Sequence, residues 1–273
     1  MPSESTLKQY AMRMSILKKN GIDAMRSPQS VLDWFDSQKF SASSRKVYLS
    51  AIKNSVGDQF PALLQSELNR LYTNQNKKDM EQTLTEKQQE NFVKWEDLLT
   101  AYEKLKTMNK SAAQLKHYLV MSLYILNAPV RADYGEMEVF SRKDKTRTGN
   151  ELIWNKNPCF VFRVYKTAKT YGEVVIPVSK PLQIVITEWF AHLGSVPNYL
   201  LGDKPTSPNT FAVFVQDTFR KYTGKDVGIS LLRHAFITHM FPSLKTIKQK
   251  EDLANRMLHD RQRQEMYRVV DDV

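Results

Sequence analysis

The chain has 273 residues, 41% of them hydrophobic and 25% charged, which excludes a disordered chain and predicts one large or two modest folded domains. No apolar run approaches ~18 residues, the N-terminal stretch has no apolar signal core, and a lone Cys159 excludes an internal disulfide framework and a Cys-rich zinc site. The formal charge of +11 favours a polyanionic partner, most often nucleic acid, without naming a reaction.

Leu7, Tyr10, Met14 and Leu17 recur at three- and four-residue spacing, which predicts a helix burying that face. Ser27 and Pro28 open a second helix as N-cap and first helical residue, with Val31, Trp34 and Phe35 inward. A third helix is predicted over about 43–53, with Val47, Tyr48 and Ala51 inward, and a fourth over 61–72. Residues 73–92 are polar and lack apolar periodicity; they read as a linker, with a long exposed helix as the competing reading. The expected organisation is a helical unit over 1–74, a linker over 75–92 and a second unit over 93–273, which holds most of the positive surplus.

The second unit opens with predicted helices over 95–106 and 111–127. Leu115, Leu119, Val120 and Leu123 mark the latter as buried, and Pro129 stops it. The period then changes. Phe160, Phe162 and Val164 alternate with Val161, Arg163 and Tyr165, a strand pattern, and a second strand returns over 174–178 after the turn that starts at Thr167. From residue 182 the chain reads as helical again, over 182–193, 209–222, 229–241 and 251–258, before a last short piece holding Tyr267. The expected class is mainly α with a small antiparallel β-sheet, an α+β fold.

Four stretches of this unit carry unusual polar residues among apolar ones: VRADY, YKTAKTYG, SLLRH and MLHDRQRQEMYR. An Arg inside the apolar SLLRHAFITHM run is costly unless an anion meets it. The order of these stretches, and the elements they fall on, resemble the tyrosine recombinase/integrase superfamily, with variant motifs like those of mobile elements, large DNA viruses or virophages. The resemblance covers most of the chain, because the first unit is similar to that family's helical core-binding domain and residues 93–273 to its catalytic domain.

The resemblance implies a site-specific recombinase that breaks and rejoins DNA through a 3′-phosphotyrosyl intermediate, with no metal, ATP or other cofactor. Arg131, at the start of the helix expected after Pro129, and Arg233 would clamp the scissile phosphate. Lys169 on the hairpin, with Lys166 as its competitor, would act as general acid. His259 would add a hydrogen bond, and Tyr267, on the following helix, would be the nucleophile. Tyrosine suits this step because its phenol attacks phosphorus and later leaves readily. Each residue also has a plainer reading: an ion pair with Asp133 for Arg131, packing for Tyr267, a solvated hairpin for Lys169. Their joint occurrence carries the resemblance. His234 reads as structural or supporting.

The sequence departs from the family pattern at named places. Ser230 stands at the first His of H-x-x-R-H, with Lys225 a conceivable substitute; Leu258 stands at the glycine of Leu-Gly-His; and Tyr134 stands where an acid often follows Arg131. DNA contacts are expected from Ser43, Ser44, Arg45, Lys46 and Lys53 on the third helix, and from Lys110 and Arg163, with a solvated basic face as the alternative for that helix. The partners implied are double-stranded DNA and, when synapsed on it, further copies of the chain, two to four together, inside the cytoplasm or nucleus of a host cell and not at a membrane. A type IB topoisomerase and a non-cutting DNA-binding protein on the same fold are the alternatives.

Overall fold

The computed structural model describes residues 2, 4–260 and 267–269. They form two compact units, Met1–Glu81 and Gln82–Val273.

The first unit is helical: α1 (Glu4–Lys19), α2 (Pro28–Ser37), α3 (Ala42–Val56) and α4 (Ala62–Glu81). Its core joins Leu17, Val31, Phe35, Tyr48, Leu49, Ile52, Leu64 and Leu68. Phe40 stacks on Tyr48 with ring centroids 5.2 Å apart, and Trp34 meets both edge-on. The C-terminal half of α1 reaches this core, through Met14, Ile16 and Leu17. Leu7, expected inward, is therefore exposed. Ser27 precedes Pro28 at the first helical position, as the spacing predicts, but its side chain caps nothing. Ser41 caps α3 instead, accepting from the Ser44 amide, so this helix starts earlier than expected.

The stretch predicted as a linker is largely helical. Helix α4 continues to Glu81, and α5 (Glu86–Asn91) is opened by a reciprocal Thr85–Gln88 capping box. The break between the units falls at Gln82, whose φ is 54°. Polar helix formers such as Gln, Glu and Lys propagate a helix without an apolar stripe when it extends one already packed.

The second unit places α6 (Trp95–Thr107) and α7 (Ala112–Ile125) ahead of a four-stranded sheet, and α9 (Lys180–Leu193), α10 (Pro208–Thr223), α11 (Ile229–Met240) and α12 (Ile247–Arg256) after it. The strands are β1 (Glu138–Phe140), β2 (Glu151–Ile153), β3 (Cys159–Phe162) and β4 (Val174–Pro177), in that spatial order. The sheet is mixed, not antiparallel throughout: β1 runs parallel to β2, while β2–β3 and β3–β4 are antiparallel. The expected hairpin is β3–β4, but β3 ends at Phe162 and leaves Val164 exposed. Its connection to β4 contains a one-turn helix, α8 (Ala168–Tyr171). Leu98, Leu119, Tyr124, Phe160, Ile186, Phe211 and Leu232 belong to one continuous core. Among the described residues no helix is long and apolar enough to cross a membrane.

Candidate active site around Arg233 and Tyr267

Helix α11 carries the residue that raises the sharpest energetic question. Arg233 is 1% exposed. Its Nη1 donates to two main-chain carbonyls, Pro129 O at 2.6 Å and Met257 O at 3.2 Å. Those carbonyls lie two residues before Arg131 and two before His259, so Arg233 ties both segments to α11. Among the described residues, Nε and Nη2 have no hydrogen-bond partner. No carboxylate lies within ion-pair distance among the described residues, and burial pulls the guanidinium below its ordinary pKa. A buried cation that lacks a carboxylate partner is costly, which makes Arg233 the residue of this unit most in need of an anion.

The Arg131 segment is held from both sides. The buried Tyr124 hydroxyl donates to Arg131 O at 2.8 Å, and the Asp133 carboxylate accepts the Arg131 amide at 3.1 Å. No helix follows Pro129; Arg131 sits in an irregular loop leading into a turn. The ion pair with Asp133 does not form either, because Asp133 is turned toward the backbone. The Arg131 guanidinium makes no hydrogen bond or ion pair among the described residues, yet it acts on the charge of both Asp133 and Arg233. The two arginines and one acid therefore share a small volume.

Burial pushes the Asp133 carboxyl up to about 6, against the pull of Arg131 and Arg233. Its folded pKa exceeds the ordinary value, so between about pH 4 and 6 the folded state holds a proton that the unfolded state lacks. Stability consequently falls as pH rises through that window, by about 2–3 kcal/mol, and the penalty is complete above it. Asp133→Asn keeps an acceptor for the Arg131 amide and removes the titration. Urea unfolding from pH 4 to 7 is expected to show the slope in the wild type and not in the variant; equal slopes would contradict this account.

Tyr267 lies in a turn. Residues 261–266, where the helix leading to it was expected, lie outside the described residues. The Arg233 Cζ stands 5.2 Å from the centroid of the Tyr267 ring. The His259 ring meets it edge-on at 4.9 Å, and the His234 ring lies 4.7 Å away on α11. His259 is 3% exposed. It follows Leu258, which has φ of 52° at the end of α12, a conformation that favours glycine. A leucine is thus held by its packing, with 2% exposure, in a backbone conformation that favours glycine. Leu258→Gly is expected to relieve about 1 kcal/mol of backbone strain and to lose more in burial, a net destabilisation of about 1–3 kcal/mol by denaturant unfolding. A stabilised variant would show that the strain outweighs the packing.

The connection carrying the lysines is anchored to the same turn. Thr167 Oγ1 donates to Leu258 O at 3.3 Å, and the Tyr171 hydroxyl to Asp260 Oδ2 at 2.9 Å. Lys169 lies on α8 between these two anchors, exposed and without a partner among the described residues; Lys166 precedes α8 and is also exposed. Arg131, Arg233, His259 and Tyr267 are thus gathered, and Lys169 is tethered beside them.

The remaining predicted residues fall elsewhere. Ser230 is exposed and opens onto a cavity of about 450 Å³ with Thr85, Asn91 and Gln216. Lys225 donates to Phe92 O at 3.2 Å, which commits it to that carbonyl and sets it apart from the auxiliary role expected of it. Arg163 is not a phosphate contact. Its guanidinium pairs with buried Glu151 at 2.9 Å and with Glu173 at 2.8 Å, and donates to Gly149 O and Asp144 O, because a buried carboxylate in β2 demands a cation. Lys110 donates to Lys106 O and Met108 O at the end of α6, over the Tyr118 ring. In the first unit Arg45 pairs with Asp36 and donates to Phe40 O. Lys46 donates to Gln75 and Lys53 to Gln65, while Ser43 stays exposed and Ser44 joins the α3 cap. Among the described residues no group of three or more His, Cys, Asp and Glu side chains forms a metal site. No family model and no curated protein matches the chain.

Proposed function

We propose that this chain breaks and rejoins double-stranded DNA through a covalent 3′-phosphotyrosyl link at Tyr267, as a site-specific recombinase of the tyrosine type. The observation that carries the reading is the buried Arg233, without a carboxylate partner among the described residues, beneath the Tyr267 ring and beside Arg131. The Tyr267 oxygen attacks phosphorus and gives its proton to solvent, while the bond from phosphorus to the 5′-oxygen breaks. The 5′-oxygen leaves and takes a proton from Lys169. Arg131 and Arg233 hold the non-bridging oxygens as negative charge builds on them, and His259 adds a donor. The reverse attack by a 5′-hydroxyl reseals the strand and frees the tyrosine, so no external energy source is required. Tyr267 packs against Arg233 and His259 of its own chain, which favours cleavage in cis. Recombination would bring two to four copies together on DNA in the cytoplasm or nucleus of a host cell.

The test is incubation with a nicked suicide substrate carrying the cognate site, followed by denaturing electrophoresis. A protein–DNA adduct with release of a 5′-hydroxyl strand is expected. An adduct accompanied by relaxation of supercoiled plasmid by a single copy would favour a type IB topoisomerase. Tight, salt-sensitive binding without any adduct would favour a non-cutting DNA-binding protein, a reading that the outward position of Ser230 also suits.

A further inference from the structure

Two side chains of α11 grip the backbone of the segment that carries Tyr267. His234 Nδ1 lies 2.8 Å from Tyr267 O, and since a carbonyl only accepts, the Nδ1 nitrogen carries the proton and donates. The Val269 amide donates to Thr238 Oγ1 at 2.9 Å. His234 and Thr238 are four residues apart and share one face of the helix. They meet the segment at two points two residues apart, one carbonyl and one amide. Val269 is 7% exposed, so its side chain seals the second point, and the Arg268 guanidinium lies 5.3 Å from the Phe241 ring centroid just past the end of α11. The adjacent residue, Arg233, is the buried cation under the Tyr267 ring.

We propose that His234 and Thr238 form a two-point backbone clamp that positions Tyr267 over Arg233. One helix then holds both the buried cation and the tyrosine, so two contacts from the same rigid element set the distance between them. The clamp rests on the reading of Tyr267 as nucleophile for its use, but not for its existence. Both residues are positioning residues: they hold the main chain on which Tyr267 is carried, and His234 also packs its ring on that of Tyr267.

The experiment uses the full chain and three variants. His234→Phe keeps a ring against Tyr267 and removes the donor; His234→Asn keeps a donor near the place of Nδ1; Thr238→Val removes the hydroxyl at nearly constant volume. The first readout is amide hydrogen exchange at Val269, with thermal melting to establish that each variant folds. Exchange is expected to rise about five- to tenfold in Thr238→Val and in His234→Phe, and to return toward wild type in His234→Asn. The second readout is the single-turnover rate of adduct formation, expected to fall by about tenfold or more in the first two variants with DNA affinity held, and to recover in the Asn variant. Unchanged exchange at Val269 in both Thr238→Val and His234→Phe overturns the clamp. A wild-type chain that forms no adduct on cognate DNA overturns the recombinase reading alone, and the exchange comparison still decides the clamp.

Discussion

Tyr267→Phe is expected to abolish covalent attachment to DNA while leaving equilibrium affinity within about twofold. The change deletes one oxygen. The ring remains between His234, His259 and Arg233, so its packing persists, and the backbone contact to His234 involves the carbonyl, not the phenol. Among the described residues no other tyrosine ring meets both His234 and His259: Tyr124 and Tyr134 are buried and burial raises their pKa, and Tyr171 donates to Asp260 from an exposed one-turn helix. A Phe variant that still forms the adduct would remove Tyr267 from the chemistry.

The second large effect is expected at Arg233. Lysine keeps the charge but has neither the planar fork nor the reach to serve Pro129 O, Met257 O and a phosphate together. Arg233→Lys is therefore expected to slow cleavage by about 10²–10³-fold, the scale for losing one charge-stabilising donor in a transition state. Affinity for DNA, since proteins that bind it spread their contacts over many phosphates, is expected to change by less than about tenfold. Stability should fall too, since a buried carbonyl left without its donor costs about 1–3 kcal/mol. The decisive comparison is the single-turnover rate against the dissociation constant, with folding checked by thermal melting. Equal losses in both would make Arg233 a binding or structural residue.

What the sequence made legible, and what it hid, follows from the range of each interaction. Helices α2, α3, α6, α7, α9, α10 and α11 are visible because their apolar spacing is local, and the β3–β4 hairpin because its alternation spans several residues. Strands β1 and β2 are three residues long, and β2 is buried on both faces around Glu151, so neither carries a period to detect. The helical character of 73–81 stayed ambiguous because a solvated extension shows no stripe. Within the site, the apolar surroundings of Arg233 signalled a buried cation, but its carbonyl partners are 104 and 24 residues away and invisible locally. The basic residues Arg45, Lys110 and Arg163 looked free in sequence because their acceptors are main-chain carbonyls or distant acids. His234 was read as supporting; its actual contact, the Tyr267 carbonyl, depends on how the chain returns after α12.

The central claim is that Tyr267 becomes joined to DNA. The direct measurement is to form the adduct on a suicide substrate, digest both protein and DNA, and map the peptide that retains a nucleotide phosphate by mass spectrometry. The account predicts the phosphate on Tyr267. A phosphate on any other residue, or no modified peptide from a chain that binds its cognate DNA tightly, would contradict it.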